Sequence, residues 1–180
     1  LGQSTLVECN ILCTGGNLTL GQSGDIVPQS TDVQAEIHFL NRDGSLLHFA
    51  NTATVTGNIF SAGDLTIQMF NPQNAITGNI VVDGDLTIDL SASNSKGSIT
   101  GNLYATGDIR VLLSKDADIY GAVHYVVGHY FPSGSDKATW PAPEYRYDDE
   151  DTLRSAMPQP QLDCPLFPSN DADIQIWEIS

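Results

Sequence analysis

The feature that most constrains this chain is a repeated pattern of Gly-Asn-apolar followed by Gly-Asp-apolar-x-apolar, which returns after about twenty residues. The clearest copies occupy residues 55–67, 76–88 and 99–111. A repeat of this length is typical of stacked supersecondary units, none of which can bury its apolar face alone. The sequence therefore predicts a solenoid.

Weaker copies extend the repeat in both directions along the chain. The first apolar position of each copy is occupied in turn by Val7, Val33, Val55, Ile76, Ile99 and Ile119. Within each copy apolar and polar residues alternate with period two, which indicates strands with one buried face. We predict two short strands per copy, stacked in parallel on the copy before, in an all-β parallel solenoid of about five to six coils.

Stacking in register would align equivalent side chains into columns about 4.8 Å apart. Three such columns are an apolar ladder of Ile59, Ile80 and Leu103, an asparagine ladder of Asn58, Asn79 and Asn102, and an aspartate ladder of Asp64, Asp85 and Asp108. Asparagine side chains at this spacing can pass amide hydrogen bonds from rung to rung and need no ligand. The asparagine ladder is therefore predicted to be structural.

Stacked aspartates repel one another by about 1 kcal/mol per neighbouring pair in water, so something must offset the repulsion. In one interpretation each aspartate caps the backbone amides of its own Gly-Asp corner as an Asx turn. In the other, calcium bridges the stacked carboxylates, since it binds oxygen ligands alone. The sequence lacks a Gly-Gly-x-Gly-x-Asp calcium repeat, which favours the first interpretation.

Two series of glycines accompany the repeat. We expect Gly57, Gly78, Gly101 and Gly121 on the inward side of the first strand, where a missing side chain permits a bend or a close approach. We expect Gly63, Gly84 and Gly107 at the second corner, in a conformation with positive φ.

Charge and cysteine content limit the partners and the compartment. The formal net charge of −15, from 22 acidic and 7 basic residues, argues against nucleic acid, and no apolar stretch is long enough to insert into a membrane. Cys9, Cys13 and Cys164 have no zinc-type spacing; either the first two are buried thiols, or one of them bridges to Cys164. The composition favours an extracellular or cell-surface location, with the periplasm as the alternative.

An enzymatic interpretation has weak support. Pectin-degrading parallel β-helices carry catalytic residues on an outer face, and the aspartate ladder with His124 or His129 would be the candidates here. The Asn-Thr-Asp, Asp-Asp and Arg-Ile-Lys elements of polygalacturonases are absent from the repeats. We assign no catalytic residue, and expect His38, His48, His124 and His129 to be partly exposed and not clustered.

The pattern changes at Phe131, after which lie seven of the nine prolines and the acidic run 148–151. Prolines block ladder pairing, so residues 1–130 are predicted to form the solenoid and residues 131–180 an acidic, mostly irregular extension. We expect this extension to pack on the solenoid or cap one end, with Trp140, Tyr145 and Tyr147 as its aromatic anchors.

The phrase Thr-Gly-Asn-Ile-x-x-x-Gly-Asp-Leu-Thr-Ile, at residues 56–67 and 77–88, resembles the repeats of bactofilin-like polymer-forming proteins. It also resembles β-helical modules of bacterial surface proteins, such as accessory proteins of mannose-sensitive haemagglutinin pili. The resemblance implies a right-handed parallel β-helix without catalytic residues. The irregular turns, the cysteines and the proline-rich tail depart from bactofilins.

The sequence as a whole favours a non-enzymatic structural or adhesion module of a bacterial surface or pilus-associated protein. It would act as a rigid spacer that binds host or environmental glycans or surface proteins, as a monomer. A polysaccharide-degrading enzyme and a bactofilin-like end-to-end polymer are the alternatives. The candidate binding residues are Asp64, Asp85, Asp108, Trp140, Tyr145 and Tyr147.

Overall fold

The computed structural model describes residues 4–21, 30–91, 97–113, 118–126, 130–134 and 143–160. These residues form nineteen β-strands and one α-helix. In chain order the elements are β1 (Ser4–Val7), β2 (Ile11–Cys13), β3 (Asn17–Leu20), β4 (Ser30–Val33), β5 (Ile37–Phe39), β6 (Ser45–Phe49), β7 (Ala53–Thr56), β8 (Ile59–Ser61), β9 (Leu65–Met69), β10 (Ala75–Thr77), β11 (Ile80–Val82), β12 (Leu86–Leu90), β13 (Ser98–Thr100), β14 (Leu103–Ala105), β15 (Ile109–Leu113), β16 (Asp118–Tyr120), β17 (Val123–Val126), β18 (Tyr130–Gly134), β19 (Glu144–Tyr147) and α1 (Glu150–Ala156).

The strands form three parallel sheets around one interior, and each of six successive coils supplies one strand to each sheet. The first sheet has the order β1-β4-β7-β10-β13-β16. The second has the order β19-β17-β14-β11-β8-β5-β2, and the third β18-β15-β12-β9-β6-β3. The predicted parallel β-solenoid of about five to six coils is confirmed.

The coils lie in the predicted register. Ile80 pairs with Ile59 on one side and with Leu103 on the other, and all three side chains are fully buried. Because the same inward positions recur in each coil, the interior is a continuous file of apolar side chains. Removal of this apolar surface from water is the main force that holds the coils together.

The prediction of two strands per copy is wrong, because each coil has three. The segment 55–59 divides at Gly57 and Asn58 into the end of β7 and the start of β8. At the equivalent Gly101 φ is 147°, and an added Cβ would collide with the carbonyl oxygen of Gly78 in the coil below. The first glycine series therefore makes the corner between the first and second sheets and does not lie within a strand.

The second glycine series is required for a different reason from the one predicted. Gly63, Gly84 and Gly107 are not among the positive-φ glycines of the described residues. A Cβ on Gly84 would instead lie 2.6 Å from Asp64 Oδ1 and 2.8 Å from the Asp64 backbone nitrogen. Glycine is needed at this corner because successive coils approach closely, not because of backbone conformation.

The third sheet continues past Phe131, since β18 pairs with β15 along Tyr130–Gly134. Pro132 is tolerated there because β18 is the edge strand of its sheet. Further along, β19 pairs with β17 and extends the second sheet. The expectation of mostly irregular chain after residue 130 is therefore wrong for residues 131–134, 144–147 and 150–156.

Helix α1 follows β19 directly and is not predicted from the sequence. Asp149 caps it, because its carboxylate accepts a hydrogen bond of 2.8 Å from the backbone nitrogen of Thr152. Glu150 and Asp151 occupy the first turn, where the helix dipole favours negative charge. On the inner side of the helix Leu153 is fully buried.

Candidate functional site

The outer face of the second sheet carries a column of apolar and aromatic side chains. By strand register these are Leu12, His38, Phe60, Val81, Tyr104, His124 and Tyr145. Leu153 of α1 packs with Phe60, Val81 and Tyr104 in a second hydrophobic cluster outside the solenoid interior. We call β19 and α1 together the clamp: β19 extends the second sheet beyond β17, and α1 covers part of its outer face through Leu153.

His124 lies at the centre of the contact between the clamp and the solenoid. Its ring stacks between those of Tyr104 and Tyr145, at centroid distances of 4.2 and 4.8 Å. Its Nδ1 is 2.9 Å from the hydroxyl of Tyr147. Burial lowers the pKa of His124 below its ordinary value and raises the pKa of Tyr147. Tyr145 and Tyr147 thus lie where the extension meets the solenoid, whereas Trp140 lies outside the described residues.

Among the described residues, neither His38 nor His48 joins His124 in a site. His38 is only 4% exposed, which contradicts the expectation of partial exposure, and it stacks on Phe60 at 5.2 Å. Its Nε2 is 3.2 Å from a carboxylate oxygen of Glu36; burial lowers the pKa of His38, and Glu36 partly opposes that shift. His48 meets Phe70 edge to face, while His129 lies outside the described residues.

The asparagine ladder joins coils through side chain to backbone hydrogen bonds. Asn58 Oδ1 accepts from the backbone nitrogen of Asn79 at 3.0 Å, and Asn79 Oδ1 accepts from that of Asn102 at 3.1 Å. Asn102 Oδ1 continues the series to the nitrogen of Ala122 at 2.9 Å. These bonds satisfy amides at the corner that the first glycine series opens, so the ladder is structural.

The aspartate ladder works in the same way. Asp64 Oδ1 accepts from the backbone nitrogen of Asp85 at 2.8 Å, and Asp85 Oδ1 accepts from that of Asp108 at 2.7 Å. The carboxylates of Asp64 and Asp85 therefore cap the next coil, and the interpretation in which each aspartate caps its own corner is wrong for them. Charge-assisted bonds of this kind, together with Arg110 at 3.2 Å from Asp108, offset the repulsion along the stack.

The described part of the chain contains no group of three or more His, Cys, Asp or Glu side chains placed to hold a metal ion. The three aspartates of the ladder are therefore not close enough together, as described, to form a three-residue metal site. Calcium binding stays an untested prediction.

The cysteines of the first coil differ in state. Cys9 is disulfide-bonded, so the interpretation with two buried free thiols is wrong. Cys13 is a free, half-buried thiol whose pKa is raised to about 11 by burial, which makes it unreactive. Cys164 lies outside the described residues.

The outer face of the first sheet is polar but almost uncharged along β4, β7, β10 and β13. The outward side chains of β4, β7, β10 and β13 are Ser30, Asp32, Thr54, Thr56, Ala75, Thr77, Ser98 and Thr100, of which only Asp32 is charged. Thr56, Thr77 and Thr100 form an exposed ladder in successive coils. The sequence carries a signal for it, since each of these threonines precedes a Gly-Asn pair.

A groove of about 460 Å³ crosses this face at the N-terminal coils. Leu6, Ser30, Asp32, Gln34, Thr52 and Thr54 are among its lining residues. Thr54 Oγ1 donates to Asp32 Oδ1 at 2.6 Å, and Gln34 Nε2 donates to Asp32 Oδ2 at 3.0 Å. None of these residues is a predicted site residue, because none belongs to the repeated letters.

At the β19 edge of the second sheet, the inward positions are occupied by charged residues. Tyr125 is buried on the inner side of β17, and its hydroxyl donates to Glu144 Oε2 at 2.9 Å. The same hydroxyl accepts from Nε of Arg146 at 2.8 Å. Since Glu144 and Arg146 pair with Val123 and Tyr125, they take the inward positions of β19 and place charge where a further coil would need apolar side chains. We call this group the polar plug.

Comparison with models of known protein families, with curated proteins and with solved structures gave no match. The resemblance to bactofilin-like and surface-protein repeats thus rests on the repeat motif, and its supported part is the parallel β-solenoid. In the described residues no helix is long and apolar enough to cross a membrane.

Proposed function

We propose that this chain is a non-enzymatic module of a bacterial cell-surface or pilus-associated protein. It serves as a rigid spacer and presents an outer face that binds glycans or surface proteins outside the cell. One observation carries the proposal: the repeated aspartates and asparagines, which are the natural candidates for chemistry, hold the backbone amides of the next coil. Their regular spacing serves the scaffold.

Rigidity follows from the way the coils are joined. Each coil pairs with its neighbours in all three sheets, and six coils at about 4.8 Å each give a body roughly 25–30 Å long. A coil cannot separate from its neighbours without breaking backbone hydrogen bonds in all three sheets. Such a body suits a spacer that holds a binding surface at a fixed distance.

The polar plug supports a monomer over the bactofilin-like polymer. End-to-end stacking would place the Glu144 and Arg146 side chains against the apolar interior of another copy, and burying charges without full compensation is unfavourable. No comparable feature favours the polysaccharide-degrading alternative. The repeated Asp64 and Asp85 bond to the backbone of the next coil, and His38 and His124 are stacked against aromatic side chains of the second sheet.

The location can be tested in the bacterium that encodes the protein. Antibodies against the purified chain should label intact cells as strongly as permeabilised cells, with a cytoplasmic protein as the control. Labelling that requires permeabilisation would overturn the surface assignment.

The two alternatives need separate measurements on the purified chain. Analytical ultracentrifugation should give a monomer, and incubation with pectins and other polysaccharides should release no reducing ends above a boiled control. Filaments in the electron microscope would instead support the polymer, and released reducing ends the enzyme.

A further inference from the structure

We propose that the groove on the first sheet is a binding site for a neutral sugar residue. The inference rests on the proposed binding role of the module and names the surface and the ligand class. It is carried by the size of the groove, the arrangement around Asp32, an exposed apolar side chain and the charge of the face.

The size of the groove suits a small part of a glycan. A volume of about 460 Å³ lies within the range of roughly 300–1,000 Å³ typical of small-molecule sites. The groove is lined by the outward Leu6 and Asp32 of β1 and β4, by Thr5 and Thr31 of the same strands, and by residues at the start of β7. Because these strands are paired in the solenoid ladder, the backbone that supports the groove is in place before a ligand arrives.

Asp32 is positioned as a hydrogen-bond acceptor for hydroxyl groups. Thr54 holds one carboxylate oxygen and Gln34 the other, so the plane of the carboxylate is set by two neighbours. A carboxylate has about four acceptor positions, so each oxygen can still accept a bond from a ligand hydroxyl. Two adjacent sugar hydroxyls match this pair of acceptors, and bonds to a charged acceptor are the stronger kind.

The rest of the groove offers mixed polar and apolar contacts. Ser30 and Thr52 provide hydroxyls that can donate or accept, as the hydroxyl groups of a sugar also do. Leu6 is 53% exposed beside them and provides an apolar surface for the C–H groups of a sugar ring. This combination of acceptor, hydroxyls and a small apolar surface is the chemistry that recognises a carbohydrate.

Charge selects a neutral sugar. Asp32 is the only charged outward residue on the four strands β4, β7, β10 and β13, and none of these strands presents an outward Lys or Arg. Sialic acids, uronic acids and sulfated sugars would bring an anion to Asp32 without a cation to compensate it. The outward residues of these four strands also include none of the Trp, Tyr and Arg anchors that dominate protein interfaces.

The experiment uses the full chain on an array of neutral, sialylated and sulfated oligosaccharides. We expect binding to neutral members, followed by calorimetry with the best of them. The variant Asp32→Asn should weaken that binding at least tenfold, because the neutral amide accepts through one oxygen only and its NH2 group is a donor. Leu6→Ala should weaken it by a smaller factor.

The matched control is Asp89→Asn, which removes a partly buried carboxylate from the outer face of the third sheet. It should bind as the natural chain does. Thermal unfolding of each variant separates loss of binding from loss of fold.

The experiments distinguish failure of the sugar site from failure of the proposed function. Binding restricted to anionic glycans, or no binding to any neutral glycan, overturns the inference while leaving a surface spacer intact. Equal binding by Asp32→Asn and the natural chain overturns the location of the site. Failure of the surface-labelling experiment is independent of all these results and would overturn the proposed function instead.

Discussion

The outer faces of the first and second sheets are built on the same coils and in the same register, yet they differ in exposure. On the first sheet Thr77 and Thr100 point outward and are exposed, whereas on the second sheet Val81 and Tyr104 point outward and are only 7% exposed. The inward side chains are mostly apolar in both sheets, with the buried Ser61 and the terminal Glu144 and Arg146 as exceptions on the second sheet. The comparison shows that the interior determines the solenoid, while the outward residues determine whether a face is covered or left open.

Both outer faces depend on the corner that joins the first and second sheets, so a change at this corner should have the largest effect. We expect Gly101→Ala to lower the free energy of unfolding by about 3 kcal/mol or more, because the new Cβ would collide with a carbonyl of the coil below. Urea denaturation measures this. Gly15→Ala is the control, since nothing lies within 4 Å of its added Cβ, and should change stability by no more than about 0.5 kcal/mol. Equal stability of both variants would mean that the coils do not stack as described.

A smaller effect should be confined to the covered face. Leu153→Ala removes the fully buried contact of α1, and we expect a loss of about 2 kcal/mol, near the lower limit for a buried leucine, because the site is at the surface of the solenoid. Hydrogen exchange should accelerate in residues 144–156 and stay unchanged in β7 and β10. The exposed Ser155→Ala serves as control. Uniform acceleration across both sheets would show that the clamp is not a separate unit.

Acidification should loosen the same contact more gently. The folded-state pKa of His124 is lowered below its ordinary value of 6.5 by burial, so the unfolded state binds more protons. Its contribution to stability is therefore present above about pH 6.5 and is lost as the pH falls. Hydrogen exchange of β19 between pH 8 and pH 5, corrected for intrinsic rates, should show this loss.

The variant His124→Phe keeps an aromatic ring between Tyr104 and Tyr145 but cannot titrate, so most of the pH dependence should vanish. A residual step is expected from His38, whose pKa is shifted in the same direction. Full pH dependence in His124→Phe would assign the effect to another group.

The smallest effect is expected at the edge of the clamp. Arg154 Nη2 is 2.7 Å from Asp83 Oδ1, and this hydrogen bond is the main reason that the pKa of Asp83 lies below its ordinary range. Both side chains are largely exposed, so Asp83→Asn should cost no more than about 1 kcal/mol, and less at high salt. Asp43→Asn, at an exposed position, is the control for urea denaturation. A loss above 2 kcal/mol would show that the ion pair, and not Leu153, holds the clamp.

Much of the interior follows from the sequence. Ile59, Ile80 and Leu103 occupy one inner column because the same letters recur at nearly constant spacing, and period-two alternation sets which side is buried. The third strand of each coil does not follow, since the break at Gly57 depends on the carbonyl of another coil. Helix α1 has a local signal, the Asp149 cap and acidic first turn, but its seven residues are too few for visible periodicity.

The sequence by itself determined the parallel solenoid, its approximate number of coils and the ladders that run through it, because a repeat states the same local preference again in every coil. The tertiary structure alone decided what the outward side chains do. It set Asp64 and Asp85 against the amides of the following coil, gathered Tyr104, His124 and Tyr147 from separate segments, and left the groove around Asp32 open. Alternation is a property of neighbours in the chain, whereas the partner of an outward side chain comes from another coil or from the clamp.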